Sequence, residues 1–344
     1  MTAYLALRDL RFRQRIVTPH FSTIPGEALL GLQPGERDTV HDLLYGLLLP
    51  SGGDAAIALA TGDAGSIGAF VAKMNDAAVA LGLDETHYST PVGLDTPGNY
   101  STAADLVKLA RVLLRDRRFA RIVGSADATL TGGDEVRHVV NRNDLVAQYP
   151  WVVGVKTGYT LDAQYVLVAA GHRHGTTLIS AVLGAPSEFA RDADSLDLLR
   201  YGFSLFRPRR AIAAGDALAH PAIRDGTGRL ALVAARPVQV WARPGQRPEI
   251  VRRAPRTVRG PIRRGRRLGR ATVTVEGGRA ATVPLLAARS VPVPSISGGI
   301  EQALPGDPDA NVVRLAGVLA AAAGLALGLA TSGAGRLRDT RRRG

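Results

Sequence analysis

The first ten residues, MTAYLALRDL, place Ala3, Leu7 and Leu10 on one stripe of a helix. The same three-to-four spacing recurs along the next hundred residues. DTVHDLLYGLLL predicts a helix capped by Thr39, with Asp42 three positions on as a weak capping box. Pro50-Ser51-Gly52-Gly53 breaks that helix, and DAAIALA starts another at Asp54. GAFVAKMNDAAVALGL predicts a third helix and STAADLVKLARVLL a fourth, with Thr102 and Asp105 in capping-box spacing. The period then changes to that of strands. WVVGVKTGYT and AQYVLVAAG are followed by the turn HRHG and by TTLISAVLGA, which predicts a β-hairpin. SLDLLRYGFSLF returns to helical spacing.

After residue 206 only short β-rich runs remain, RLALVAA, VQVWARP, ATVTVEGG and ATVPLLAA, separated by Gly/Pro turns. The pattern therefore divides the chain into a mixed α/β (α+β) domain over 1–205 and a small all-β domain over 206–292. A Pro/Gly/Ser linker is expected over 293–312, an apolar helix over 313–335 and a basic tail over 336–344. The run from Leu315 to Gly335, LAGVLAAAAGLALGLATSGAG, is uncharged and long enough to cross a bilayer. RLRDTRRRG follows it, so the positive-inside rule leaves the tail in the cytoplasm and everything before the span outside the cell. The first residues do not read as a signal peptide, so the pattern predicts a helix there instead.

Composition changes this picture in three ways. The 344 residues carry 43 Lys and Arg against 30 Asp and Glu, a net charge of +13 that favours anionic partners. Zero cysteines exclude disulfides, thiolate nucleophiles and Cys-ligated metals. Only Lys73, Lys108 and Lys156 are lysines, every other cation being Arg, so a Lys here is not the default choice.

Lys156-Thr157-Gly158, inside the strand-like block YPWVVGVKTGYT, carries the sharpest chemistry. On a strand, Lys supplies charge, Thr a directed hydrogen bond, and Gly a close approach, which together make an anchor for a carboxylate. Ser51 sits in a Gly turn between two helices. STPVGLDTPGNYSTAADL offers turns and a capped helix but neither nucleophile nor base.

LLYGLLLPSGGDAA, GLDTPGNYSTAADL, YPWVVGVKTGYT and YVLVAAG with LISAVLGA resemble, in order and spacing over about residues 1–205, the serine-type D-alanyl-D-alanine carboxypeptidases. These are the low-molecular-weight penicillin-binding proteins of peptidase family S11. The resemblance implies a penicillin-binding/β-lactamase-like transpeptidase fold, an antiparallel sheet with helices, followed by a small β domain and a C-terminal membrane anchor. It implies three motifs, S-x-x-K, S-x-N and K-T-G. Lys156, Thr157 and Gly158 match the third and imply binding of the terminal D-Ala carboxylate. The backbone N–H of Tyr159 is then one oxyanion donor. Ser51 matches the first position of the second motif, a proton-shuttling hydroxyl, but Gly53 stands where that motif has Asn. In the family S-x-x-K opens a helix that continues with Met-Thr-Ala, so the nucleophilic Ser and its activating Lys are expected a few residues before Met1.

The implied activity is acyl transfer on peptidoglycan stem peptides without metal or organic cofactor, at the outer face of the cell membrane, with β-lactams as inhibitors. Other readings stay open: a non-catalytic penicillin-fold protein that binds wall peptide or a partner, a related β-lactamase, or a truncated product. His172 and His174 lie in a hairpin turn with no nearby third ligand, so no metal site is expected. The arginine run over 252–270 lacks stacking aromatics, which argues against nucleic acid and for a solvated face attracted to anionic lipid or wall polymer.

Overall fold

The computed structural model describes residues 1–22, 27–276 and 281–293. They form two compact units. The first comprises Met1–Asp216, Ala234–Arg253 and Arg270–Leu285; the second takes in Ala217–Val233, Ala254–Gly269 and the chain from Leu286.

In the first unit, α1 (Thr2–Asp9) buries Ala3, Leu5, Ala6 and Leu7. A short antiparallel pair, β1 (Arg15–Val17) and β2 (Arg37–Thr39), leads into α2 (Val40–Leu48). Thr39 caps α2 as expected, its hydroxyl accepting from the Asp42 amide at 3.1 Å. The helix expected at Asp54 is α3 (Gly53–Ala64), which starts one residue earlier behind an N-cap at Gly52. Next come α4 (Ile67–Ala80), capped by Ser66, and α5 (Ala103–Leu113), capped by Thr102. The chain then adds α6 (Arg117–Val123), the antiparallel pair β3 (Asp127–Leu130) and β4 (Arg137–Val140), and the one-turn α7 (Leu145–Gln148). These pieces escaped the pattern reading because each is too short to show a period.

The central sheet is antiparallel, in the order β5 (Val152–Thr160), β6 (Gln164–Arg173), β7 (Thr176–Ala185). The expected hairpin closes at His174 and Gly175, both at positive φ (52° and 77°), as a two-residue turn between antiparallel strands prefers. The closing helix, α8 (Glu188–Ser204), begins at the Ser187 cap, well before the apolar run that announced it. Alternation along the strands divides the core between the two faces of the sheet. Val155 and Ala170 pack with Leu43, Leu44, Leu59 and Ile122 of the helical layer. Val152, Leu167 and Ala169 pack with Leu145, Leu196 and Leu199 of α7 and α8.

The remainder is strand. It runs through β8 (Arg207–Ile212), β9 (Ala217–Ala219), β10 (Ala222–Ile223), β11 (Leu232–Ala234), β12 (Val238–Ala242), β13 (Glu249–Arg253), β14 (Thr257–Val258), β15 (Arg267–Thr274) and β16 (Ala281–Ala287). Within the first unit β8 pairs antiparallel with β12, and β13 with β15. Within the second, β9 pairs antiparallel with β11, β10 runs parallel to β14, and Ile262 bridges to Val291. The expected transmembrane helix over 313–335, most of the linker and the basic tail lie outside the described residues. Among the described residues no single helix is long and apolar enough to cross a membrane.

Candidate active site

Lys156, Thr157 and Gly158 occupy the outer half of β5, the edge of the three-stranded sheet. Register fixes them: Lys156 faces Val168, Thr157 faces Leu167 and Gly158 faces Val166 on β6. Gly158 proves necessary for a reason the sequence did not give. A Cβ there would lie 2.8 Å from the Val166 side chain, so the neighbouring strand excludes any larger residue.

Lys156 differs from the other two lysines. Lys73 pairs with Asp9 and Asp63, and Lys108 with Asp105. Among the described residues Lys156 pairs with no carboxylate; its Nζ donates only to the Thr157 carbonyl at 2.9 Å. Burial first, and then the nearby Arg142 and Arg191, push its pKa down to about 7.

The two arginines were not singled out from sequence, because they stand far from the K-T-G block along the chain. Arg142 is held by its neighbours. Asn141 donates to the carbonyls of Val123 and Ser125, and the Arg142 amide donates to the Leu49 carbonyl at 3.1 Å. Arg191, on the first turns of α8, is 2 % exposed and pairs with Glu188 at 3.1 Å and Asp192 at 2.9 Å.

Ser51 comes to the same place. A cavity of about 530 Å³ is lined by Ser51, Gly53, Arg142, Lys156, Thr157, Tyr159 and Arg191, among others. All five residues singled out from the sequence for the site therefore line one cavity. Ser51 has φ of 70°, a left-handed conformation that a non-glycine residue adopts at some cost. Tyr159 is half exposed and its ring leans on Tyr165 at 4.5 Å. A second cavity of about 860 Å³ opens beside Lys156, lined by Met1, Thr2, Tyr88 and the loop over 90–101. That loop is stiffened by its own bonds: Asn99 donates to the Leu94 carbonyl, Ser89 to the Pro97 carbonyl, and the Asp162 amide to Asp95. The GLDTPGNYSTAADL block thus contributes wall to this cavity.

Gly53 has an unexpected neighbour. A Cβ built on it would clash with Oε1 of Glu27 and lie 3.0 Å from that side chain's Cδ. Where the S-x-N pattern has an amide, this chain brings a carboxylate from another segment. The segment is held in place by Asp54, which is fully buried. Its two oxygens accept from the amides of Leu30, Gly31, Leu32 and Ala55 at 2.8–2.9 Å. The Gly53 amide adds a bond to the Ala28 carbonyl at 2.8 Å.

The histidines are engaged elsewhere. His172 bonds Thr177 at 2.8 Å, and His174 stacks on Trp241 at 3.7 Å. Among the described residues no group of three or more His, Asp or Glu is placed to hold a metal ion.

Comparison with known proteins places this geometry. A family model described as D-alanyl-D-alanine carboxypeptidase, peptidase S11, matches residues 18–187. D-alanyl-D-alanine carboxypeptidase DacF of Bacillus subtilis is 29% identical over 283 residues, covering 81% of this chain and 73% of its own length. DacB2 of Mycobacterium tuberculosis is 36% identical over 213 residues, covering 60% and 72%. The crystal structure of penicillin binding protein 5 from Haemophilus influenzae superposes with a TM-score of 0.57 at 26% identity, covering 85% of this chain and 88% of that one. The chain spans between 45% and 73% of the length of such curated relatives. On sequence and fold together, the chain belongs to the D-alanyl-D-alanine carboxypeptidase family, peptidase S11.

Proposed function

We propose that this site is that of a serine-type D-Ala-D-Ala carboxypeptidase acting on peptidoglycan stem peptides. The observation that carries the reading is the convergence of Lys156, Arg142 and Arg191 on one cavity beside an edge strand. A peptide ending in a carboxylate can lie along the edge of β5 as an added strand while its carboxylate neutralises the Lys156 cation. Thr157 adds a hydroxyl, and the Tyr159 N–H is the proposed oxyanion donor.

The chemistry proposed is acyl transfer. A serine oxygen attacks the carbonyl between the two D-Ala residues, and the C–N bond breaks. The Ser51 hydroxyl relays a proton to the departing amine, and water then hydrolyses the ester. No lysine of the sequence stands three residues after a serine, so the S-x-x-K pair is not among these residues. Within them the site supplies recognition and proton relay, while attack requires a nucleophile from outside them. β-Lactams, which mimic the same peptide, are the proposed inhibitors. The proposed location is the outer face of the cell membrane, with residues 313–335 as the anchor.

Gly53 favours a second reading, a peptidoglycan-binding protein without hydrolysis, because the motif amide is replaced by the Glu27 carboxylate. Two measurements on the 344-residue chain test the proposal. Saturation-transfer NMR should detect acetyl-D-Ala-D-Ala but not acetyl-L-Ala-L-Ala, and Lys156→Ala should abolish the signal. Fluorescent penicillin should leave no covalent adduct by mass spectrometry. Equal binding of both dipeptides overturns the proposal, and an adduct on any residue overturns the statement that the nucleophile comes from outside these residues.

A further inference from the structure

The described residues of the second unit, 217–233, 254–269 and 286–293, carry nine arginines and a single acid, Asp225. Every one of these arginines is exposed. The one ion pair among them joins Arg259 to Asp225 at 3.1 Å. These like charges repel one another, and among the described residues the packed interior that opposes them buries Leu230, Val258, Ile262 and Val291.

The fold gathers part of this charge at one end. The turn after Ile262 carries Arg263, Arg264 and Arg266 around Gly265, whose amide bonds the Ala287 carbonyl. The Arg264 amide donates to the Ser290 hydroxyl at 3.1 Å, which sets this turn beside Arg289. Arg289 in turn reaches the Arg229 carbonyl at 3.4 Å. These bonded turns carry five exposed arginines, Arg229, Arg263, Arg264, Arg266 and Arg289, none of them ion-paired with a carboxylate among the described residues.

We propose that this unit is a docking surface for anionic phospholipid headgroups, independent of the reading of the peptidase site. Guanidinium forks match phosphate oxygens, and clustered Arg near an anionic bilayer adds affinity residue by residue. A nucleic acid is disfavoured because these residues include no Phe, Tyr or Trp on which bases could stack. The position in the chain points the same way. The last described residue of this unit is Val293, and the uncharged run that the sequence assigns to a bilayer begins at Leu315. The arginine cluster therefore precedes the expected anchor and would meet the same membrane's headgroups.

The test uses the full chain and vesicles of phosphatidylcholine alone or with three parts in ten phosphatidylglycerol. The variant combines Arg263→Glu, Arg264→Glu and Arg266→Glu. At roughly fivefold per arginine, affinity for the anionic vesicles should fall about 100-fold, while binding to neutral vesicles is unchanged. Raising the salt to 0.5 M should erase the preference of the native chain, on the order of threefold shorter screening than at 0.05 M. If the reversed variant unfolds, the three Arg→Gln substitutions serve instead, with the same loss of about 100-fold expected because the same three cations are removed. An unchanged anionic preference overturns the proposal, as does an equal loss on neutral vesicles. So does binding of random-sequence duplex DNA that is tighter than vesicle binding and lost in the same variant.

Discussion

Asp54 is the residue whose loss should undo the site most cleanly. Replacing it with Asn keeps the shape and removes one charge and one acceptor oxygen. In the native chain Oδ1 accepts from Leu30 and Ala55, and Oδ2 from Gly31 and Leu32. An amide can serve two of these donors, and its NH2 group must face the other two. Two charge-assisted bonds vanish, at about 1.5–3 kcal/mol each, and two amide donors are left facing a donor. Local relaxation recovers part of this, so a loss of about 3–5 kcal/mol is expected, the range seen when a buried charged contact is broken. The Asp54 carboxylate also sits in the first turn of α3, where the helix dipole favours it. Urea denaturation measures the total, and amide hydrogen exchange locates it. Leu30, Gly31 and Leu32 should lose at least about 100-fold in protection, while the amides of β6 change far less. If Asp54→Asn costs under about 1 kcal/mol and those three amides stay protected, the clamp does not hold the segment that brings Glu27 to the cavity.

Other predictions follow from the same geometry. Because Lys156 is held down to about 7, acetyl-D-Ala-D-Ala binding should weaken up to about tenfold per pH unit above 7, and Arg142→Gln should move that midpoint upward; a flat titration from pH 5.5 to 9 refutes this. The unfolded chain binds more protons at this lysine than the folded one between about 7 and its ordinary range, so this group's contribution to stability should rise with pH there, and urea midpoints of the native chain against Lys156→Met check the sign. Gly53→Asn should destabilise the native chain but be tolerated with Glu27→Ala, a coupling of at least about 1 kcal/mol in a double-mutant cycle; additive effects would show that Glu27 does not fill that space. Burial, and then Glu36, push the Asp38 carboxyl up to about 6, and its Oδ2 finds no hydrogen bond among the described residues. The folded state therefore holds its proton longer, and stability is lost as pH rises from about 4 to 6. Asp38→Asn should remove that loss and gain about 2 kcal/mol at pH 7 relative to pH 4, whereas an unchanged pH profile would contradict the assignment.

The sequence by itself determined the long helices and the hairpin, and it singled out the Lys156-Thr157-Gly158 block. Thr39 and Thr102 cap helices because a side-chain hydroxyl meets an amide three residues on, which is local chemistry legible in the sequence. Lys156 stood out because it is one of three lysines in an arginine-rich chain and lies in a strand-like block. Short elements such as α6 and the β3–β4 pair were not legible, since their length and place depend on what they pack against. Only the tertiary structure decided that Lys156 pairs with no carboxylate among the described residues while Lys73 and Lys108 do, because ion pairing depends on distance in space. It alone brought Arg142 and Arg191 to the same cavity and lowered the Lys156 pKa. It also turned the missing amide of the S-x-N pattern into a positive feature. Gly53 looked like a loss along the chain; in space its missing side chain leaves the room that Glu27 takes, held there by a carboxylate buried one residue away.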